Sequence, residues 1–452
     1  MMAYTETTST SWFSRIGGSF RGIGMGIVLI IAGTILLWWN EGDFVATGDA
    51  LNEAHAITQE LGDISKVDTS KNGQLVHATG PVETKDMLTD PVFGFSINAI
   101  RLERTVEFYQ WVEKSTTEKR KKLGGGEETV TTYTYAQQWT NAPVDSSQFK
   151  DPSAPRLKRN FTLANIENFK VQATNVTFGG YRLPDFMISS ISGAVPLSAT
   201  ISDEAKATLN DQLVRTAAQA RPDSLDRTFS ETALDAVIGR DPQESALQRQ
   251  EREQEMLRRK ATEKTEMVHF SGNTVMFGVS PAVPQVGDVR ITFQETKPGT
   301  VSILAKLNGD TFEQYRASNG KTVSKLSMGT HSLENMYGAA HSSNATMTWI
   351  LRLVGTILVI TGLKFIVAPL EVFASVIPFL GDIVGAGTGI VSTLLGLAWS
   401  LLIISIAWLR FRPVIGLGMI AVAVALLAVL FFKGRSRKAA KASVPPSPVE
   451  PA

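Results

Sequence analysis

Gly22–Trp39, GIGMGIVLIIAGTILLWW, runs eighteen residues without a charge. Wound as a helix it is about 27 Å long, close to the roughly 30 Å hydrocarbon core of a bilayer. Arg15 and Arg21 precede it, Trp38 and Trp39 close it where indole rings favour headgroups, and no small-x-small cleavage site follows. The stretch reads as a retained signal anchor, transmembrane helix 22–39.

The far end of the chain repeats the pattern. Trp349–Leu370, Ile390–Leu409 and Val414–Phe432 are three more apolar stretches, the last two separated by Arg410, Phe411, Arg412 and Pro413. Soluble core helices are rarely this long and this free of charge. The fold class expected is therefore an α-helical multi-pass membrane protein with four spans, 22–39, 349–370, 390–409 and 414–432. A large α+β, β-rich extramembrane domain, 40–348, is inserted between spans 1 and 2. An even number of spans puts both termini together. The cationic residues Lys433, Arg435, Arg437, Lys438 and Lys441 of the Pro-rich tail, 433–452, and the arginines of the N-terminal segment, 1–21, assign that side to the cytoplasm. Arg410 and Arg412 then fall on the opposite side, against the same rule. Arg352 and Lys364, near the ends of their span, are expected to snorkel to the headgroups.

Composition narrows the function classes. The 452 residues hold 44 basic and 43 acidic side chains, a net charge of +1, which argues against nucleic acid as a partner. With no cysteine, disulfides, thiolate metal sites and a cysteine nucleophile are excluded.

About 300 residues between spans 1 and 2 are enough to bury a core. Period-two alternation from Gln74 to Glu113 predicts strands, broken at Gly80-Pro81 and Asp90-Pro91. Lys119–Glu128, KRKKLGGGEE, reads as a hairpin tip, with Thr129–Trp139 as the returning strand. Phe161–Val171, Val176–Tyr181, Val286–Phe293 and Thr300–Leu307 are further strand-like pieces, the last ending in an Asn308-Gly309 turn. A helical insert at about 202–266 opens behind a Ser202 cap. It continues into Glu244–Glu266, whose six acids and six bases read as a solvated, salt-bridged helix or arm.

The catalytic patterns are incomplete or missing. Asn319-Gly320-Lys321-Thr322 lacks the upstream glycine of a phosphate-binding loop and reads as an Asn-Gly turn. Gly385-Ala386-Gly387-Thr388-Gly389 has no preceding strand, so it is no dinucleotide loop. Histidines 55, 77, 269, 331 and 341 show no paired metal spacing, and no Gly-x-Ser-x-Gly elbow occurs. No catalytic residue, cofactor site or metal site is assigned, and the protein is expected not to be an enzyme.

The membrane segments offer more. Gly18, Gly22 and Gly26 recur at intervals of four, as do Gly381, Gly385 and Gly389, each set making a smooth stripe suited to helix packing or oligomerisation. Glu371–Gly389 is apolar except for Glu371 and Asp382, with Pro378 as a break. A full extra span here would separate the two cationic termini, so 371–389 is expected to be an interfacial or re-entrant segment. Asp382 is then a candidate intramembrane acid.

These residues resemble the transmembrane protein 43 (LUMA) family. The resemblance rests on Trp39-Asn40-Glu41-Gly42, Gly73-x-Leu75-Val76-His77, Asp90-Pro91-x-x-Gly94 and the run Leu102-x-Arg104-x-Val106-Glu107-x-Tyr109-Gln110-Trp111-Val112-Glu113. Tyr133-x-Tyr135 with Trp139, Pro284-x-Val286-Gly287-Asp288-x-Arg290 and Trp408-Leu409-x-x-Arg412-Pro413 extend it. It implies four spans with a large luminal domain and no catalytic residues. It also implies location in the endoplasmic reticulum and inner nuclear membrane, where members are thought to organise complexes with lamins and emerin-like partners. A bacterial member would carry its domain in the periplasm, on the inner membrane.

The function expected is a non-enzymatic integral membrane scaffold, self-associating and organising other membrane proteins. The alternative is an oligomeric ion channel, or channel-like subunit, with Asp382 near its cytoplasmic mouth. The expected partners are the lipid bilayer, further copies of the chain and other membrane proteins.

Overall fold

The structure, a computed structural model, describes residues 3–198, 201–220, 266–414 and 416–418. Among these, four helices run past a single turn: α1 (Trp12–Ile57), α2 (Asp203–Ala220), α3 (Leu333–Ala374) and α4 (Pro378–Phe411). Six strands reach seven residues or more: β1 (Tyr4–Thr10), β2 (Leu75–Thr84), β3 (Arg101–Lys121), β4 (Glu127–Thr140), β5 (Val289–Thr296) and β6 (Thr300–Asn308).

The helices α1, α3 and α4 are each long and apolar enough to cross a membrane. All three are longer than the apolar stretches inside them. Ser11 caps α1 by accepting the Ser14 amide at 3.2 Å, and Ser332 caps α3 by accepting that of Asn335 at 3.3 Å. Segment 371–389 is divided between two helices. The helix α3 continues to Ala374, a turn follows, and α4 opens with Pro378 in its first turn, where a missing N–H costs nothing. The expected fourth span, the tail and the charged arm from Glu244 to 265 lie outside the described residues, apart from 414 and 416–418. Within the helical insert, α2 is present, and Ser202 accepts the Ala205 amide at 3.2 Å.

Antiparallel packing of α1 on α3 is set by glycine pairs. A Cβ on Gly26 would stand 2.6 Å from the Gly362 carbonyl oxygen, and one on Gly33 would stand 2.8 Å from that of Gly355. Only hydrogen fits at that approach. On α4, Gly396 meets Ile360 in the same way. The side chains turned outward, among them Ile31, Ile35, Leu353, Ile357, Leu394 and Leu401, are half-exposed or more, as on a lipid-facing surface.

Between α1 and α3 in sequence lies a β-rich domain of two main sheets. The first has eight strands, ordered β1, β4, β3, β5, Thr274–Phe277 and Val268–Ser271, with Ala194–Pro196 joining β5 and Phe169–Gln172 joining β3. The second has seven, and the pairing of β6 with β2 closes five of them into a ring. Strict alternation fills that ring: Val76, Ala78, Phe178, Tyr181, Ile303 and Phe312 all lie in one core. A second core of Val106, Phe108, Phe277, Val289, Ile291 and Phe293 lies on the first sheet. Both Asn-Gly turns form as read, with Gly309 at φ +61° and Gly320 at φ +82°.

Candidate functional site

The buried charges of this chain mark its joints. Glu41, two residues beyond the first apolar stretch, is wholly buried where α1, α3 and α4 meet. Arg352 donates to it from Nε at 2.6 Å and Nη2 at 2.7 Å, and Trp408 donates from its indole N–H at 2.5 Å. The guanidinium lies over the rings of Trp349, at 4.6 Å, and Trp408, at 5.5 Å. Beside it, Asn40 donates from its side-chain amide to the Thr348 carbonyl at 3.2 Å. A carboxylate taken out of water is tolerable only when fully paired, and here three helices supply the pairing. With Glu41 sealed from solvent, the cluster acts as a clasp and offers no group to a substrate.

Arg352 was expected to snorkel; instead it stays 11% exposed and pairs inward. The sequence showed the acid, through its motif, but nothing in the spacing tied it to an arginine 311 positions away.

A second joint fastens the β-rich domain to α1. Glu53 accepts the Tyr315 hydroxyl at 2.6 Å, the Ser318 amide at 2.9 Å and the Ser318 hydroxyl. Lys321 pairs with Asp43, and Asn319 donates to the Ala46 carbonyl at 2.7 Å. The segment that superficially resembled a phosphate loop is thus a docking turn. The Ser318 hydroxyl, then the Tyr315 hydroxyl, hold the Glu53 carboxyl below its ordinary range, and the same bond raises Tyr315.

The third joint is the root of the β3–β4 hairpin, built by the aromatic motif. Tyr109 stacks edge-on against Trp139 at 5.2 Å, and Arg290 lies over Trp139 at 4.3 Å while pairing with Glu107 at 2.7 Å. Gln110 is buried, donating to the Phe161 carbonyl at 3.3 Å and accepting the Val144 amide at 2.5 Å. The Trp111 amide donates to Asn160 at 2.8 Å. Glu113 accepts the Tyr135 hydroxyl and the Lys150 amide, both at 2.6 Å. Burial first, then that bond to Glu113, pushes the Tyr135 phenol up to about 12. Gly287 needs its positive φ of +99°, and Phe161 occupies the space a side chain would take. Asp288 is buried, accepting the Gln285 amide at 2.8 Å. A separate buried pair, Arg104 with Asp90 at 2.6 Å, fixes the neighbouring Asp90-Pro91 turn.

The hairpin's other end makes the fourth joint. Lys121 pairs with Glu371 at 2.9 Å and Asp382 at 3.0 Å. Arg15 donates to the Gly125 carbonyl at 2.5 Å and pairs with Glu127 at 3.4 Å. The Trp12 indole donates to the Val372 carbonyl at 3.0 Å. Asp382 therefore lies at the bundle end, 72% exposed and ion-paired.

Of the glycine stripes, Gly26 packs on α3, Gly381 against the turn at Ser375, and Gly385 against the Glu371 carboxylate. A methyl group placed on Gly18, Gly22 or Gly389 would meet none of the described residues within 4 Å. Gly42 is covered by the Phe411 ring. Among the described residues no group of three or more His, Asp or Glu is placed to hold a metal. Among the described residues, a cleft of about 400 Å³ beside Asn165–Asn168 and one of about 480 Å³ beside α2 are both open to solvent.

Three long apolar helices clasped around a buried ion pair, with a β-rich domain between the first two in sequence, define an integral membrane protein. The chain belongs to the transmembrane protein 43 family, whose model matches residues 108–413. It is 25% identical to rat transmembrane protein 43 over 426 residues, covering 90% of this chain and 89% of that one. It is 24% identical to the human protein, with 93% of each covered, and 25% identical to the Drosophila melanogaster homolog, with 92% and 93% covered. No solved structure matches.

Proposed function

We propose that this protein is a non-enzymatic membrane scaffold that self-associates and holds other membrane proteins in place. The observation that carries the reading is how the charged and polar side chains at the four joints are used. Glu41, Glu53, Glu113 and Glu371 are each engaged by partners within the chain, bracing helices and domain into one unit. A braced body with outward apolar helix faces suits holding partners in register better than turnover does. The proposed sidedness puts the N-terminal arginines and basic tail on the cytoplasmic side and the β-rich domain across the membrane. That membrane is the endoplasmic reticulum or inner nuclear membrane in a nucleated cell, and the inner membrane in a bacterium.

The test is the mass of the full-length protein in lipid nanodiscs. A particle of several copies is the expected result; a monomer at working concentrations would overturn self-association. The channel alternative rested on Asp382, and in the described residues Asp382 is paired with Lys121 at the bundle end, which does not favour that role for it. Asp382→Asn is expected to leave the particle mass unchanged, and ion flux that depends on Asp382 in proteoliposomes would reverse that preference.

A further inference from the structure

The three-stranded ribbon of β1, β4 and β3 is polar on both faces. Its strands read YTETTST, EETVTTYTYAQQWT and, beyond the root, EKSTTEKRK. The root is fixed in the domain, because β3 pairs with β5 from Arg101 to Phe108. The domain itself is fastened to α1 from Asp43 onward, on the far side of the apolar stretch from Trp12. Yet the tip docks at Trp12 and Arg15 and at the α3–α4 turn, where the Gly124 amide donates to the Val376 carbonyl at 3.1 Å.

The lengths agree with a taut connection. From Phe108 to Lys121 the ribbon is about 43 Å long at ~3.3 Å per residue. From Trp12 to Asp43 the helix is about 47 Å long at ~1.5 Å per residue. The ribbon therefore runs alongside the bundle and passes the whole height of Gly22–Trp39.

Open strand edges and charged side chains do not face hydrocarbon, because no water is there to satisfy them. This ribbon has two such edges. Among the described residues β1 pairs only with β4, and β3 pairs only with β4 once past Trp111, whose backbone is bonded to Asn160. The edges lie at the same height, since Thr10 is level with Glu127 and Glu127 with Lys121. They also differ in charge. The β1 edge has Glu6 alone, while Glu113–Lys121 has the bases Lys114, Lys119, Arg120 and Lys121 against Glu113 and Glu118. Both β1 and β3 run from root to tip.

We propose that the ribbon crosses the bilayer beside the helices and that neighbouring copies close it, the free β1 edge of one copy pairing in parallel with the free β3 edge of the next. Such a contact is head-to-tail, joining two different edges of identical chains, so repetition around an axis leaves no edge open. The closed strands satisfy both edges, put one polar face of each ribbon in a shared interior and turn the other toward the helices of the bundle, whose outer apolar faces are left to lipid. This deepens the self-association proposed above, on which it rests, by naming the surface that makes it.

The chain has no cysteine, so introduced ones report cleanly. Leu123→Cys, at an 86% exposed tip position, and Asp310→Cys, in the domain, are treated separately with a membrane-impermeant maleimide on sealed vesicles. They are expected to label from opposite sides. In a second measurement Thr7→Cys is combined in turn with Thr116→Cys, Glu118→Cys and Arg120→Cys, and oxidised. Within one copy β4 separates these strands by about 9.5 Å, beyond the roughly 7 Å reach of a disulfide, so only pairing between copies gives a cross-linked ladder. Opposite-side labelling with a ladder supports the proposal. A multi-copy particle with no ladder, or with both sites labelled from one side, overturns it while leaving self-association through other surfaces intact. A monomeric particle overturns both.

Discussion

Glu41 shows what one residue does when its partners come from distant parts of the chain. Glu41→Ala leaves Arg352 buried and uncompensated, and loss of one member of a buried pair costs about 3–5 kcal/mol. We expect a lowered midpoint of thermal unfolding in nanodiscs, with the three helices losing their shared clasp. The double replacement Glu41→Leu with Arg352→Leu removes both charges and restores apolar packing, so it should recover most of that loss. A double variant as unstable as the single one would show that the pair does more than cancel its own burial. The importance of Asn40, Glu41 and Gly42 was legible through the motif. That Arg352 and Trp408 complete the site was not, because helix contacts between remote segments leave no local period to read.

At the scale of the element, the glycines separate two kinds of regularity. Spacing by four predicted the stripe Gly18, Gly22 and Gly26, whereas the contacts fall seven apart, at Gly26 and Gly33 on one helix and Gly355 and Gly362 on the other. Seven residues are two turns, so the pairs meet on one face of each antiparallel helix. Gly33→Val should push its methyls into the Gly355 carbonyl and part the helices, lowering the unfolding midpoint clearly. Gly22→Ala meets none of the described residues and should be neutral or stabilising by up to about 1 kcal/mol, the helix-propensity gain. Equal damage from both would mean that the stripe packs against something beyond the described residues of this copy. Among the strands, β3 outran the pattern that revealed it. Its domain half alternates apolar and polar residues, but beyond Glu113 it is Thr and charge on both faces, and no periodicity marks it. Pro378 gave the α3–α4 turn its position in the sequence, while the continuity of α4 through Gly385 and Gly389 did not show, since helix, interfacial segment and re-entrant hairpin share one apolar composition.

For the molecule as a whole, the question is how firmly domain and bundle move together, and Glu53 makes that question titratable. Its carboxylate is held by two hydroxyls and an amide of the docking turn, which stabilise the charged form and lower its pKa from the ordinary 4.5. A depressed folded value means that the contribution is complete above the unfolded value. It declines as pH falls from about 4.5 and is gone once pH passes below the folded value. Acidification should therefore loosen the Tyr315–Lys321 turn from α1 before the two β cores open, since those cores are apolar and do not titrate. Hydrogen exchange at the Ser318 amide reads this directly, with protection falling below pH 4.5 in the native chain. In Glu53→Gln the amide side chain keeps its size but loses the charge, so protection at Ser318 should be weaker at neutral pH and nearly flat across the same acid range. The neighbouring Asp43–Lys321 pair carries a carboxylate of its own, and the variant Lys321→Met separates the two effects. If the acid response survives Lys321→Met and disappears in Glu53→Gln, Glu53 holds the domain to the helix; if the reverse, the ion pair does.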